Sequence, residues 1–260
     1  MKSSQCPGAL VAHDWGLTPG VNSAILEMAQ KGLIKQVSIL AGSPFLKTGL
    51  DELLKIPGLQ FGLHFNLTLF PPLFEEQQDA FSPFLDPSCF HYKPLWKLKW
   101  IWFLPFRKKD KMQAAVDAFR GQLEKLRSLK IPVSYLDGHQ NVHLLPGLLE
   151  AIEPDLKQWG IQEIKIPSIF RLLMKRKFLT ARTMWRGSIL ARKNGLQVRT
   201  TYRPSLRNLA RIRCQSAHLD IVVRPSTVDD LDGYGIRDKY QQGRVREYQA
   251  LCQLLQMVSS

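Results

Sequence analysis

Asp137-Gly138-His139-Gln140-Asn141-Val142-His143-Leu144-Leu145-Pro146-Gly147 carries two of the six histidines in the chain. An apolar run, Val133 to Leu136 with only Ser134 polar, leads into it. A helix is predicted to follow, opening near Pro146, because proline is tolerated in a first helical turn. The stretch therefore reads as strand end, polar loop, helix start. In α/β folds such loops at the C-terminal ends of strands collect binding and catalytic groups. Imidazole is also the commonest metal ligand. The plainer alternative is a surface turn that happens to hold two histidines.

Working outward, the same pattern recurs. Ala9 to Ala12 is a short apolar run, read as a buried strand, and it ends in His13-Asp14-Trp15-Gly16. Ser23 to Lys31 has helical spacing, with Ala24, Ile25, Met28 and Ala29 on one face and Gly32 as a stop. Val37 to Ala41 reads as a second strand, and a short helix follows around Thr48 to Lys55. Leu59 to Leu63 reads as a third strand, and it runs into His64-Phe65-Asn66-Leu67-Thr68. Three strands thus end in a candidate metal ligand: Asp14, His64 and His139. Strand–helix alternation implies a parallel sheet, whose strand ends share one face. One carboxylate and two imidazoles would converge there and leave coordination positions open. Such a set suits Zn²⁺, Fe²⁺ or Mn²⁺.

Composition is consistent with one large domain, and the length would also accommodate two small ones. The 260 residues suffice for a substantial core, and 45% hydrophobic content is ordinary. No apolar run reaches the roughly 18 residues of a transmembrane helix. Met1 to Pro7 lacks the apolar core of a signal peptide, which predicts a cytoplasmic protein. Cys6, Cys89, Cys214 and Cys252 are scattered without a Cys-x-x-Cys pair, which argues against a zinc-finger framework. The formal net charge of +14 favours anionic partners such as anionic lipid, nucleic acid or an acidic substrate. It is equally compatible with a basic balance that serves solubility alone.

The three stretches together resemble the YdjC-like carbohydrate deacetylase family, which includes chitooligosaccharide deacetylases and hopanoid-biosynthesis-associated members. The family's opening motif, Ala-Asp-Asp-Phe-Gly-Leu-Ser-x-Gly-Val-Asn, is similar to Ala12 to Asn22 here. Its Gly-Leu-His-x-Asn-Leu-Thr is similar to Gly62 to Thr68, and its Asp-Gly-His-Gln-His-Val-His to Asp137 to His143. The resemblance covers residues 9–70 and 131–150 best. It implies an α/β fold of the distorted (β/α) barrel type, as in glycoside hydrolases, built as one domain over residues 1–260 with an insertion at about 75–111. It further implies one divalent metal ion, Mg²⁺ or Zn²⁺, on Asp14, His64 and His139, and removal of an N-acetyl group from an amino sugar, oligosaccharide or glycolipid.

Three departures from the family pattern concern proton handling. His13 stands where the family has the Asp that looks like the base, and imidazole is a competent base near neutral pH. Asn141 replaces the middle histidine of the third motif and cannot shuttle a proton. Arg224-Pro225 replaces a His-Pro at the end of the strand Leu219 to Val223; arginine cannot serve as a general acid, though it can clamp a carboxylate or phosphate. His13 is thus the candidate base, and Asn66, Asp137, Asn141, His143 and Arg224 are candidates for contacting substrate or supporting the ligands. The rival readings are a degenerate member that binds a glycan or glycolipid without turnover, and a basic protein of membrane surfaces or nucleic acid.

Two further segments bear on partners. Phe90 to Lys111 interleaves Trp96, Trp100 and Trp102 with lysines, which suits a membrane interface, a substrate lid or an insertion packed over the barrel; nucleic acid is the least favoured partner. Phe170 to Arg213 is basic, with few acids, at near-helical intervals: one solvated face or a second anionic-surface contact. Met112 to Leu129 is predicted to be an amphipathic helix burying Ala115, Val116, Phe119, Leu123 and Leu126. Leu148 to Trp159 and Gly243 to Met257 read as helices, and Gln162 to Pro167 as a strand. The expected partners are an N-acetylated sugar or glycolipid, the inner face of a membrane through peripheral contact, and a second copy in a homodimer.

Overall fold

The computed structural model describes residues 9–67, 69–70, 85–86, 91–92, 108–174, 178–205, 209, 219–234, 236 and 241–259. The aromatic–basic stretch at 93–107, with its three tryptophans, lies outside the described residues, as does Thr68. In chain order the elements are β1 (Leu10–Trp15), α1 (Pro19–Gln30), β2 (Gln36–Ile39), α2 (Leu50–Leu54), β3 (Gln60–Phe65), the two-residue strands β4 (Leu85–Asp86) and β5 (His91–Tyr92), and α3 (Lys108–Ser128). There follow β6 (Val133–Gly138), a 3₁₀ segment (His139–Leu144), α4 (Leu148–Gln158), β7 (Glu163–Pro167), α5 (Ile169–Met174), α6 (Phe178–Lys193), β8 (Gln197–Tyr202), β9 (Leu219–Val223), a 3₁₀ turn (Asp232–Tyr234) and α7 (Gln241–Ser259).

Among the described residues, seven parallel strands close a barrel in the order β1-β2-β3-β6-β7-β8-β9, with β9 pairing back onto β1. The expected α/β barrel is therefore present, and β4 and β5 form a separate antiparallel pair. Strands and helices fall where the apolar patterns put them, with two differences. The helix after the third motif opens at Leu148 with Gly147 as its N-cap, so Pro146 precedes it. The stretch from 170 to 213, read only as a basic surface, contains two helices and the strand β8.

The helices bury the faces expected of them. Ala24, Ile25, Met28 and Ala29 of α1 are inaccessible, as are Ala115, Phe119, Leu123 and Leu126 of α3. No described helix is long and apolar enough to cross a membrane. Two polar clusters occupy the barrel interior. Toward the N-terminal strand ends, Lys165 Nζ donates to Asp220 Oδ2 (2.6 Å), Gln36 Oε1 (2.7 Å) and Glu163 Oε1 (2.8 Å). Arg199 also pairs with Asp220. Lys165 sits 4.4 Å from the centre of the Tyr135 ring. That ring lies where a Cβ on Gly62 would come within 2.0 Å of it, so only glycine on β3 leaves room for it.

Lys165 and Asp220 are both inaccessible to solvent. Removing one member of a buried ion pair strands the other, and such losses start at about 3 kcal/mol. Asp220→Asn is expected to cost about that much in urea unfolding at neutral pH. Burial alone would push the Asp220 carboxyl up, but Arg199 and Lys165 hold it below the usual range. A depressed carboxylate stabilises the fold above its unfolded pKa, about 3.9. That contribution is lost as pH falls through the lower folded value. The variant should therefore lose less stability than wild type on acidification below about pH 4. Parallel pH curves for the two proteins would show that the pair does not couple to protons.

Candidate metal centre

The second polar cluster lies at the C-terminal strand ends, where β1, β3 and β6 deliver their motifs. In a regular strand, successive side chains point to opposite faces. β1 breaks this rule: its register with β2 shifts between Ala12 and Trp15, and Asp14 takes a positive φ of 71°. Such a bulge re-aims a side chain at the cost of local strain. Both His13 and Asp14 thereby reach His64 of β3. The His13 and His64 rings are 4.8 Å apart, and Asp14 Oδ1 is 3.1 Å from His64 Nε2.

His139 enters from the loop after β6. Gln140 and Asn141 both have left-handed backbones (φ 53° and 60°), which kinks the 3₁₀ segment and turns the chain back on itself. Asparagine tolerates that conformation better than most residues, a backbone reason for Asn141 that needs no substrate. The kink places His139 Nδ1 3.4 Å from Asp14 Oδ1. Gly138 is required just before it, because a Cβ there would fall 2.4 Å from His143 Nδ1.

One oxygen of Asp14, one nitrogen of His64 and one of His139 lie within 4.8 Å of one another. Metal–ligand distances of about 2.0–2.2 Å separate neighbouring donors by roughly 3–3.5 Å, which matches the 3.1 and 3.4 Å contacts. Asp14 Oδ1 and His64 Nε2 are buried without a hydrogen bond, as donors awaiting a cation would be. The residues fit a divalent ion with open positions for water or substrate.

Asp137 organises the support. Its Oδ1 accepts from His64 Nδ1 (2.7 Å); its Oδ2 accepts from Ser38 Oγ (2.7 Å) and faces His13 Nε2 (2.9 Å). A carboxylate on one ring nitrogen fixes the tautomer and turns the other toward the metal. His13, His64 and Asp137 also form a cluster of ligand-type atoms, but the 2.7 Å contact is a hydrogen bond with a proton in it. We therefore read Asp137 as the holder of both imidazoles. Ser38 in turn bonds Tyr135 Oη at 3.0 Å, tying this cluster to the ring above Lys165.

On the other side, Asp14 Oδ2 accepts from Arg244 Nη2 of α7 (2.7 Å) and lies 3.5 Å from Arg224 Nε. Burial opposes the charged form of Asp14, but Arg244, then His139 and His64, hold its carboxyl well below the usual range. Asp137 is held low against burial by His13 and His64. His64, squeezed between the two carboxylates, is raised against burial to about 9, so a cation bound there would displace its Nε2 proton. Burial lowers His13 to about 4 and His143 to about 4, so both are neutral at pH 7.

Asp14, His64, His139, His13 and Asp137 thus come together, with Arg224 at the edge. Two other candidates have local work. Asn66 closes its own turn: its side-chain amide pairs with the Leu69 backbone, while Gln122 brackets the Asn66 backbone. His143 is fully buried and faces the Lys165 carbonyl at 2.9 Å, which straps the loop to β7. That contact sets its ring beneath the ligand loop and outside the cluster of Asp14, His64 and His139. Arg244 and Ser38 were not singled out in the sequence. Helical period is the missed signal for Arg244: it shares the buried face of α7 with Glu247 and Leu251, whereas Arg246 faces solvent.

A family model described as YdjC-like protein matches residues 9–254. A carbohydrate deacetylase of Vibrio parahaemolyticus is 28% identical over 151 residues, 56% of this chain and 54% of that protein. One from Mus musculus is 25% identical over 171 residues, 61% of this chain and 50% of that protein. The chain spans about half the length of these curated relatives. A solved structure from Enterococcus faecalis, described as a cellobiose-phosphate cleavage protein, superposes with a TM-score of 0.67 at 17% identity, covering 93% of this chain and 89% of that one. At that identity the likeness is one of fold.

Proposed function

The chain belongs to the YdjC-like family, and from that premise we propose that it is a metal-dependent hydrolase that removes the acetyl group from an N-acetylated amino sugar, oligosaccharide or glycolipid. The observation that carries this reading is the convergence of Asp14, His64 and His139 on one point at the barrel mouth, with His13 beside them. Those three residues would hold one divalent ion, Mg²⁺ or Zn²⁺, which when bound supplies Lewis acidity toward an amide carbonyl and acidifies water. On this reading the whole chain acts as one catalytic domain.

The chain's own residues manage protons and charge. His13 Nε2 is turned to Asp137, so Nδ1 keeps the lone pair. Hydrolysis consumes one water and releases acetate and an amine. His13 takes a proton from the water and passes it to the departing nitrogen. Arg224 and Arg244 cannot exchange protons at working pH. Their two charges balance Asp14 and Asp137, so a divalent ion would leave the centre positive. A positive centre favours a substrate with an anionic group, and Arg224 is the more exposed of the two arginines. Arg224→Ala is expected to raise KM for anionic sugars with little change for neutral ones, in steady-state assays on matched pairs. Equal losses on both would remove the anion-clamp role.

The test of the reading is acetate release from a panel of N-acetyl sugars, run alongside elemental analysis of the purified protein. A second reading, glycan binding without turnover, draws on the burial of His143 and on Arg224 at the position where the family has histidine. Metal at about one equivalent with saccharide binding but no acetate release would favour it. Neither metal nor acetate release would remove the hydrolase proposal.

A further inference from the structure

The described surface has one concentration of large exposed apolar side chains, and it is far from any use the hydrolase reading makes of it. Phe170 is 73% exposed, Met174 70%, Phe178 63% and Trp185 56%, with Leu173 and Ile189 beside them in sequence. All belong to α5 and α6. The inner face of α6 is ordinary: Ala181, Met184, Ser188 and Ala191 are buried at helical spacing. Its outer face alternates Phe178, Trp185 and Ile189 with exposed Arg182, Arg186, Arg192 and Lys193. No Asp or Glu stands anywhere between Glu163 and Asp220. A soluble helix normally turns charge, not phenylalanine and tryptophan, to water.

From this juxtaposition we propose that the outer face of α5 and α6 docks on an anionic lipid surface. Aromatic and aliphatic side chains interleaved with arginine on one exposed face suit the headgroup boundary. The apolar groups enter it, and the cations meet lipid phosphates. Charge decides against a second copy as the occupant. A two-fold interface through this face would set the same patch against itself, bringing Arg182, Arg186, Arg192 and Lys193 against their own copies. Single-stranded nucleic acid is less well served. Bases would stack on Phe170, Phe178 and Trp185 but would leave Leu173, Met174 and Ile189, which carry no ring, in water.

The placement also suits a lipid-borne substrate. α5 leaves the C-terminal end of β7, the barrel end where Asp14, His64 and His139 meet. α6 packs on the loop that carries His139: a Cβ on Gly187 would sit 3.1 Å from Leu144. Docking by this face sets the rim of the site near the headgroup layer.

The experiment is cosedimentation of the full chain with vesicles of phosphatidylcholine alone and of phosphatidylcholine mixed with phosphatidylglycerol, at low and high salt, without substrate. Its outcome is therefore separable from that of the hydrolase assay. Wild type should bind the anionic vesicles and be released by salt. Each basic side chain near an anionic surface contributes about five-fold. Arg182→Glu with Arg186→Glu should therefore weaken binding by at least about 25-fold. Phe178→Ser with Trp185→Ser should weaken it without changing the circular dichroism. The proposal fails if wild type ignores anionic vesicles at low salt, or if both double variants bind like wild type. It also fails if sedimentation velocity finds a dimer that the same substitutions dissolve, or if an oligonucleotide binds where vesicles do not.

Discussion

His64→Ala is expected to leave the purified protein essentially metal-free and without deacetylase turnover. His64 is fully buried, and both of its nitrogens are committed. Nδ1 is fixed by Asp137 at 2.7 Å, and Nε2 faces Asp14 Oδ1 at 3.1 Å. Removing the ring takes away one donor of three and the hydrogen bond that orders the others. The loss of affinity should exceed the roughly 10–100-fold that follows from removing a supporting partner alone. Asp137→Asn supplies that smaller step: the ligands stay, their alignment loosens, and affinity should drop by about 10–100-fold. Because His64→Ala also strands two buried carboxylates, His139→Ala is the cleaner companion. Its side chain is partly exposed on a loop, so the fold should survive. Elemental analysis after dialysis and a Zn²⁺ titration give the measurement. Wild-type metal content in both His64→Ala and His139→Ala would show that the ion, if any, binds elsewhere.

The candidate ligand set was legible in the sequence because each of its residues sits in a local strand–loop unit, and parallel topology brings strand ends to one face. β1, β2, β3, β6 and β9 were legible for a related reason: they are buried on both sides and read as apolar runs. β8 escaped because Gln197-Val198-Arg199-Thr200-Thr201-Tyr202 is polar and only half-buried. Arg199 points its charge to Asp220 inside the barrel, and periodicity cannot recognise an interior position held by an ion pair. The supporting residues were hidden for reasons of distance. Arg244 meets Asp14 across 230 positions of chain, and Ser38 meets Asp137 across 99. No local pattern announces such pairs. The bulge that turns both His13 and Asp14 toward His64 was hidden as well, since sequence alone would have put neighbouring residues on opposite faces.

His13→Ala is expected to lower turnover on N-acetyl sugars by on the order of 10²–10⁴-fold while metal stays bound, the usual range for losing a proton-transfer group. The expectation follows from elimination within the described site. Asp14 is occupied by Arg244 on one oxygen and faces His64 and His139 with the other. Asp137 accepts from His64 and Ser38. His143 faces the Lys165 carbonyl beneath the loop, and Arg224 cannot give up a proton. His13 remains: neutral, held through Nε2 by Asp137, with Nδ1 buried and without a hydrogen bond. The imidazole does not line the ligand cluster of Asp14, His64 and His139, so its removal should spare metal content. That separates it from His64→Ala, in which metal and turnover fall together. The readout is kcat on a saturating N-acetyl sugar beside elemental analysis of the same preparation. Unchanged kcat with unchanged metal would take His13 out of the mechanism and leave its contact with Asp137 as packing of the barrel mouth.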